Sequence, residues 1–174
     1  LDGAGVGKIA VFKDNLARHG VAPGAVDIVK ADSLSLRQSD AETLLAGRDG
    51  YHFFSVDGCH EVVHTINDIE FAMKVTANHG IIAVDDYTNP NWPGVMEAVA
   101  RLYLMGTPRF VPLAFICNKL LLCSYSYHAV YLEAVGRYVA EHHPSTRVKK
   151  CKRFGHDTLS ILPVTATWSD LAPI

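Results

Sequence analysis

Acidic residues close three short segments of this chain: Asp32-Ser33 follows residues 25–31, Asp57-Gly58 follows 51–56, and Asp85-Asp86 follows 81–84. Each segment alternates in polarity or is rich in β-branched and aromatic residues, the composition of a strand. Parallel strands present their C-terminal ends at one edge, where open α/β sheets bind their ligands. Carboxylates gathered there repel one another unless a cation lies among them. One or two carboxylates with substrate oxygens commonly hold Mg2+, so a hard divalent cation could resolve the crowding of Asp32, Asp57, Asp85 and Asp86 at that edge. The competing role is helix capping. It accounts for Asp57 and for one of Asp85 and Asp86, but not for a double acid.

Two further motifs offer different chemistry. His60-Glu61-Val62-Val63-His64 is a literal H-E-x-x-H, and on a helix its two imidazoles share a face that binds Zn2+ while the glutamate activates water. The alternative function is therefore a zinc-dependent hydrolase built on His60, Glu61 and His64. Its context is poor, because the motif begins close to the strand end at Asp57, and Asn67 and Glu70 stand where a longer zinc signature has Gly and His. Gly3, Gly5 and Gly7 followed by Lys8 imitate a phosphate-binding loop, but no strand precedes them and Ile9 replaces the needed Ser or Thr. In the loop after Asp85-Asp86, Tyr87 and Trp92 are candidates to cover a substrate. His128, His142, His143 and His156 read as solvated helix or turn residues.

The elements that must position these groups follow from periodicity. Helices are expected over 9–19, 34–46, 60–78, 93–104 and 126–142, and strands over 25–31, 51–56 and 81–84. Residues 110–123 read as two short strands broken near Asn118, residues 149–162 as a hairpin turning at Gly155, and the last dozen residues as a tail. Alternating strand and helix implies a mostly parallel sheet with right-handed crossovers, closed by an antiparallel C-terminal hairpin.

Composition limits the alternatives. The 174 residues are 49% hydrophobic and 20% charged, an ordinary globular balance. A net charge of −2 gives no basic surface for nucleic acid. The longest apolar runs, 80–84 and 120–123, are far shorter than a membrane span. The four cysteines lack C-x-x-C spacing and read as free thiols of a reducing, cytoplasmic compartment. A small-molecule substrate is expected, with neither nucleic acid nor membrane as partner, and a homo-oligomer is compatible with this composition.

Val56-Asp57-Gly58-x-His60, Asp68, the run His79 to Asp86, and Pro93-Gly94-Val95-x-x-Ala98 together resemble the class I S-adenosylmethionine-dependent methyltransferases, in the branch labelled methyltransferase domain 24. Asn118-Lys119-Leu120 fits the edge strands of that branch, and Phe154-Gly155-His156 fits less specifically. The resemblance implies a Rossmann-like sheet of seven strands, the last antiparallel, and methyl transfer from S-adenosylmethionine to the hydroxyl of a small molecule. It assigns Asp57, Asp85 and Asp86 to a divalent cation. It makes His60 and Asp57 catalytic, with His60 as general base or as a substrate or cofactor contact, and sets Asp32, Ser33 and Asp57 beside the cofactor. The family's first two strands and its glycine-rich cofactor loop find no counterpart here. Residues 1–162 are thus expected to form the C-terminal part of such a domain, with 163–174 as tail, an unpaired edge on the strand 51–56, and weak or no cofactor binding by these residues alone. A methyltransferase-like domain retained for binding without turnover is the other alternative.

Overall fold

The computed structural model describes residues 8–22 and 24–162, so Gly3, Gly5, Gly7 and the expected tail lie outside the described residues. The chain divides into two compact units, Leu1–Asp32 and Ser33–Ile174. In the first, α1 (Ile9–Arg18) ends as expected, just before Gly20, whose φ is +71. The expected strand over 25–31 is not formed, and Val26, Ile28 and Val29 are exposed. Alternating polarity prepares a strand, but its backbone groups need a neighbouring strand to form a ladder, and among the described residues no strand pairs with this segment.

The second unit begins with a 3-10 turn (Ser33–Ser35) and α2 (Gln38–Leu45). There follow β1 (Tyr51–Val56), α3 (Val62–Val75), β2 (Thr76–Val84), α4 (Pro93–Met105), β3 (Phe110–Ile116), β4 (Lys119–Ser124), α5 (His128–His142), β5 (Arg147–Arg153) and β6 (His156–Leu162). The strands form one open sheet in the order β1-β2-β4-β3-β6-β5. Its α/β character is as expected, but the sheet is mixed rather than mostly parallel. The pairs β1–β2 and β3–β6 are parallel, whereas β2–β4, β3–β4 and β5–β6 are antiparallel. The cause is local, since two-residue connections such as Cys117-Asn118 can join only antiparallel neighbours.

Alternation in the inner strands divides the core. Ile82, Val84, Leu120 and Leu122 face α3 and α4, where Ile69, Ala72, Val95 and Val99 meet them. Ile81, Leu121 and Cys123 point the other way, toward Leu132, Val135 and Val139 of α5. Each fully buried aliphatic side chain contributes about 1.5–3 kcal/mol, so these two layers dominate the stability of the unit. Burial pushes the Cys123 thiol up to about 12, and all four cysteines are free. No helix is long and apolar enough to cross a membrane among the described residues.

One boundary differs from expectation. α3 stops at Val75 and β2 starts at Thr76, where the sequence pattern suggested helix to 78 and strand only from 81. Thr76 lies opposite Tyr51, yet Phe53 lies opposite Ile81, so β2 bulges between the two pairs. The bulge brings backbones together. A Cβ at Gly80 would sit 2.7 Å from the Tyr51 carbonyl oxygen, and one at Gly50, whose φ is +133, would sit 2.4 Å from the Ala77 nitrogen.

The β5–β6 hairpin turns through Phe154 (φ 50) and Gly155 (φ 83), the paired positive angles that match strand twist. Phe154 offsets its unfavourable conformation by stacking on Tyr103 of α4 at 4.9 Å. On β6, Asp157 meets Lys150 at 2.8 Å and Lys152 at 3.1 Å.

Gly50→Ala is expected to cost roughly 3 kcal/mol or more, strain and clash together, in urea unfolding. Gly155→Ala, with open space around it, should cost only about 1–2 kcal/mol of strain. Acid should also weaken the unit. Hydrogen bonds from Lys150 and Lys152 hold the Asp157 carboxyl below its usual range. Burial, then His128 and Lys152, lowers His156. Both shifts favour the deprotonated forms, so their stabilisation is complete above the unfolded values. As pH falls, the His156 contribution is lost first, below 6.5, and the Asp157 contribution below the carboxylate range. Thermal melts across pH should show both steps, and Asp157→Asn should remove the second.

Candidate functional site

The parallel register sets Val56 beside Val84, so Asp57 and Asp85 leave the sheet together. One more ladder bond, from Asp85 N to the Val56 carbonyl at 3.0 Å, extends the pairing. The chain then reverses at Asp86, whose φ of 54 is left-handed, a conformation that aspartate tolerates better than most residues. Asp85 Oδ1 accepts the Asp86 backbone N–H at 2.8 Å and steadies that turn.

The two acids have different partners. Asp86 Oδ1 accepts from Asn89 Nδ2 at 2.9 Å and from Asn118 Nδ2 at 3.0 Å. Its other oxygen, Oδ2, lies 3.1 Å from His60 Nε2, and Asp57 Oδ1 lies 3.8 Å from the same nitrogen. The antiparallel register pairs Val84 with Leu120, which sets Lys119 across from Asp85, and the Lys119 ammonium pairs with Asp85 Oδ2. The expected acid triad is therefore not the group that assembles. Asp57, His60 and Asp86 bring one donor atom each to within 4.8 Å of one another, while Asp85 is turned to Lys119.

His60 is held by close backbone approach. A Cβ at Gly94 would sit 2.4 Å from the His60 carbonyl oxygen, so only glycine lets the start of α4 abut this segment. Trp92, just before Pro93 at the helix start, stacks on the His60 ring at 4.4 Å. The imidazole is 12% exposed, and its buried Nε2 faces the two carboxylates without forming a hydrogen bond. A buried nitrogen in that state is costly unless a proton or a cation settles it. The two carboxylates fit a hard divalent ion such as Mg2+ or Mn2+, with the imidazole beside them as a hydrogen-bonding or proton-accepting group.

The H-E-x-x-H reading does not survive this geometry. Glu61 is extended (φ −75, ψ 144) and α3 starts at Val62, so His60 precedes the helix and shares no helical face with His64. No group of three metal-binding side chains includes His64 among the described residues. Tyr87 is buried rather than in a substrate loop. Its ring meets Phe115 edge-on, and its hydroxyl accepts from Arg153 Nη1 at 3.1 Å. Trp92 remains the exposed aromatic of that loop. Ser33 opens the 3-10 turn, its carbonyl accepting from Asn67 Nδ2 at 2.8 Å, whereas Asp32 belongs to the other unit. Asn89, Asn118 and Lys119 escaped assignment as site residues. Asn89 lies in a loop, Asn118 in a turn, and Lys119 opens β4, places that carried no site signal of their own.

No protein-family model matches the chain, and no curated protein aligns with it closely enough to mark a relative. Gly94→Ala is expected to push His60 off Trp92. In a Trp168→Phe background, that separation should appear as a change in Trp92 fluorescence, with the circular dichroism of the fold retained.

Proposed function

We propose that this chain belongs to a methyltransferase that uses S-adenosylmethionine and a divalent cation to methylate a hydroxyl of a small molecule. The observation that carries the reading is the convergence of Asp57, His60 and Asp86 at the C-terminal edge of two adjacent parallel strands. The antiparallel β4 between β2 and β3 supports it, because the resembling family ends its sheet with antiparallel strands. Asp57, Gly58 and Cys59 are exposed, which leaves the end of β1 open to a cofactor.

When bound, the cofactor supplies an electrophilic methyl group and the cation makes the substrate hydroxyl more acidic. Asp57 and Asp86 would hold the cation through their carboxylates. His60 Nε2 accepts the hydroxyl proton, and the carboxylate oxygens at 3.1 and 3.8 Å stabilise the imidazolium that results. Asn89 and Asn118 fix the direction of Asp86, and Trp92 shields one face of the His60 ring from water.

Titration of the full-length protein with S-adenosylhomocysteine in Mg2+ is expected to show saturable binding. Incubation with labelled S-adenosylmethionine and a panel of small alcohols and phenols should label a hydroxyl. His60→Gln should slow transfer by about 10²–10⁴-fold while Mn2+ binding persists, whereas Asp86→Asn should lose both. A folded full-length protein that binds no S-adenosylhomocysteine refutes the reading.

A further inference from the structure

The last turn residue of the β3–β4 hairpin and the first residue of β4 answer the acid pair residue for residue. Asn118 gives Asp86 a neutral amide donor, and Lys119 gives Asp85 a full positive charge. Both assignments follow from one register, with Val84 opposite Leu120 and Ile116 opposite Lys119. Asp85 is the better shielded partner at 16% exposure, against 47% for Lys119. A shielded charge is costly without a counter-charge, and here that counter-charge is built into the adjacent strand. The same carboxylate orients the Asp86 backbone through its Oδ1, so Lys119 acts one residue away from the cluster of Asp57, His60 and Asp86.

We propose that Lys119 is a built-in competitor for the cation: by neutralising Asp85 it withholds one carboxylate from the site and sets how tightly a divalent ion is held. The inference rests on the reading that Asp57 and Asp86 hold that ion. Removal of the ammonium leaves Asp85 unpaired beside the cluster, free to add its charge or a ligand oxygen. Removal of the Asp85 charge leaves the ammonium facing the cluster, where it opposes a cation. The two substitutions should therefore act in opposite directions and cancel when combined, as coupled neighbours do.

The test is Mn2+ binding, followed by the loss of the free-ion signal in electron paramagnetic resonance, on the wild-type chain and its variants. Lys119→Met should lower the Mn2+ Kd at least fivefold, Lys119→Arg should stay near wild type, and Asp85→Asn should raise it. The double variant should return to within about twofold of wild type. Thermal melts keep the comparison to folded proteins, and Lys119→Gln serves if the Met variant does not fold. A Lys119→Met chain that melts lower but binds Mn2+ no more tightly overturns the inference and makes the pair structural. If wild type binds Mn2+ and Asp86→Asn does not, that overturning leaves the proposed cation site standing. Failure of every folded variant to bind Mn2+ overturns both.

Discussion

The end of β2 is the fixed point of this molecule. Ile82, Ala83 and Val84 are hydrogen-bonded to β1 on one side and β4 on the other, and helices cover both faces. A slip of one residue would turn Ile82 and Val84 toward α5 and bring Asp85 into the ladder opposite Leu120. Burial on both faces forbids that slip, so the backbone must leave the core at Asp85. Because β1 runs parallel in register, its chain leaves at Asp57 beside it. The site is where two apolar strands run out together.

What happens at that exit is decided by small geometric differences between adjacent residues. Asp85 continues the strand and meets what lies across it. Asp86 adopts a left-handed conformation and points elsewhere, into amides and an imidazole. Hydrogen bonds to a charged group are worth about 1.5–3 kcal/mol each, so the two amides on Asp86 Oδ1 are enough to fix its direction. One oxygen is thereby saturated and the other faces His60. Two chemically identical side chains, consecutive in sequence, thus take different work.

Much of this was legible beforehand, and the failures have identifiable causes. The segment 51–56, the break near Asn118 and the turn at Gly155 carry their structure in local composition, and all three formed. Residues 25–31 have strand composition but, among the described residues, no strand paired with them, a deficiency that local pattern cannot register. Residues 76–80 have the reverse problem. Thr-Ala-Asn-His-Gly looks like a helix end, and it becomes strand because Tyr51 and the close approach of Gly50 and Gly80 hold it there. Acids at strand ends were visible as a set. That His60 joins Asp57 and Asp86 while Asp85 departs depends on the β2–β4 register and on the approach of Gly94, both long-range. The four-residue spacing of His60 and His64 has meaning only within a helix, and the backbone there is extended for one residue too long.

The two rims of the sheet are unlike. β5 displays Arg147, Lys149, Lys150 and Lys152 along its length, and such a row repels a second copy of itself. β1, which pairs only with β2 among the described residues, presents instead the exposed side chains of His52, Phe53 and Ser55. A copy pairing at the β5 border would set lysine and arginine side chains against their like, so edge-to-edge contact is disfavoured there, whereas β1 carries no such row of charge.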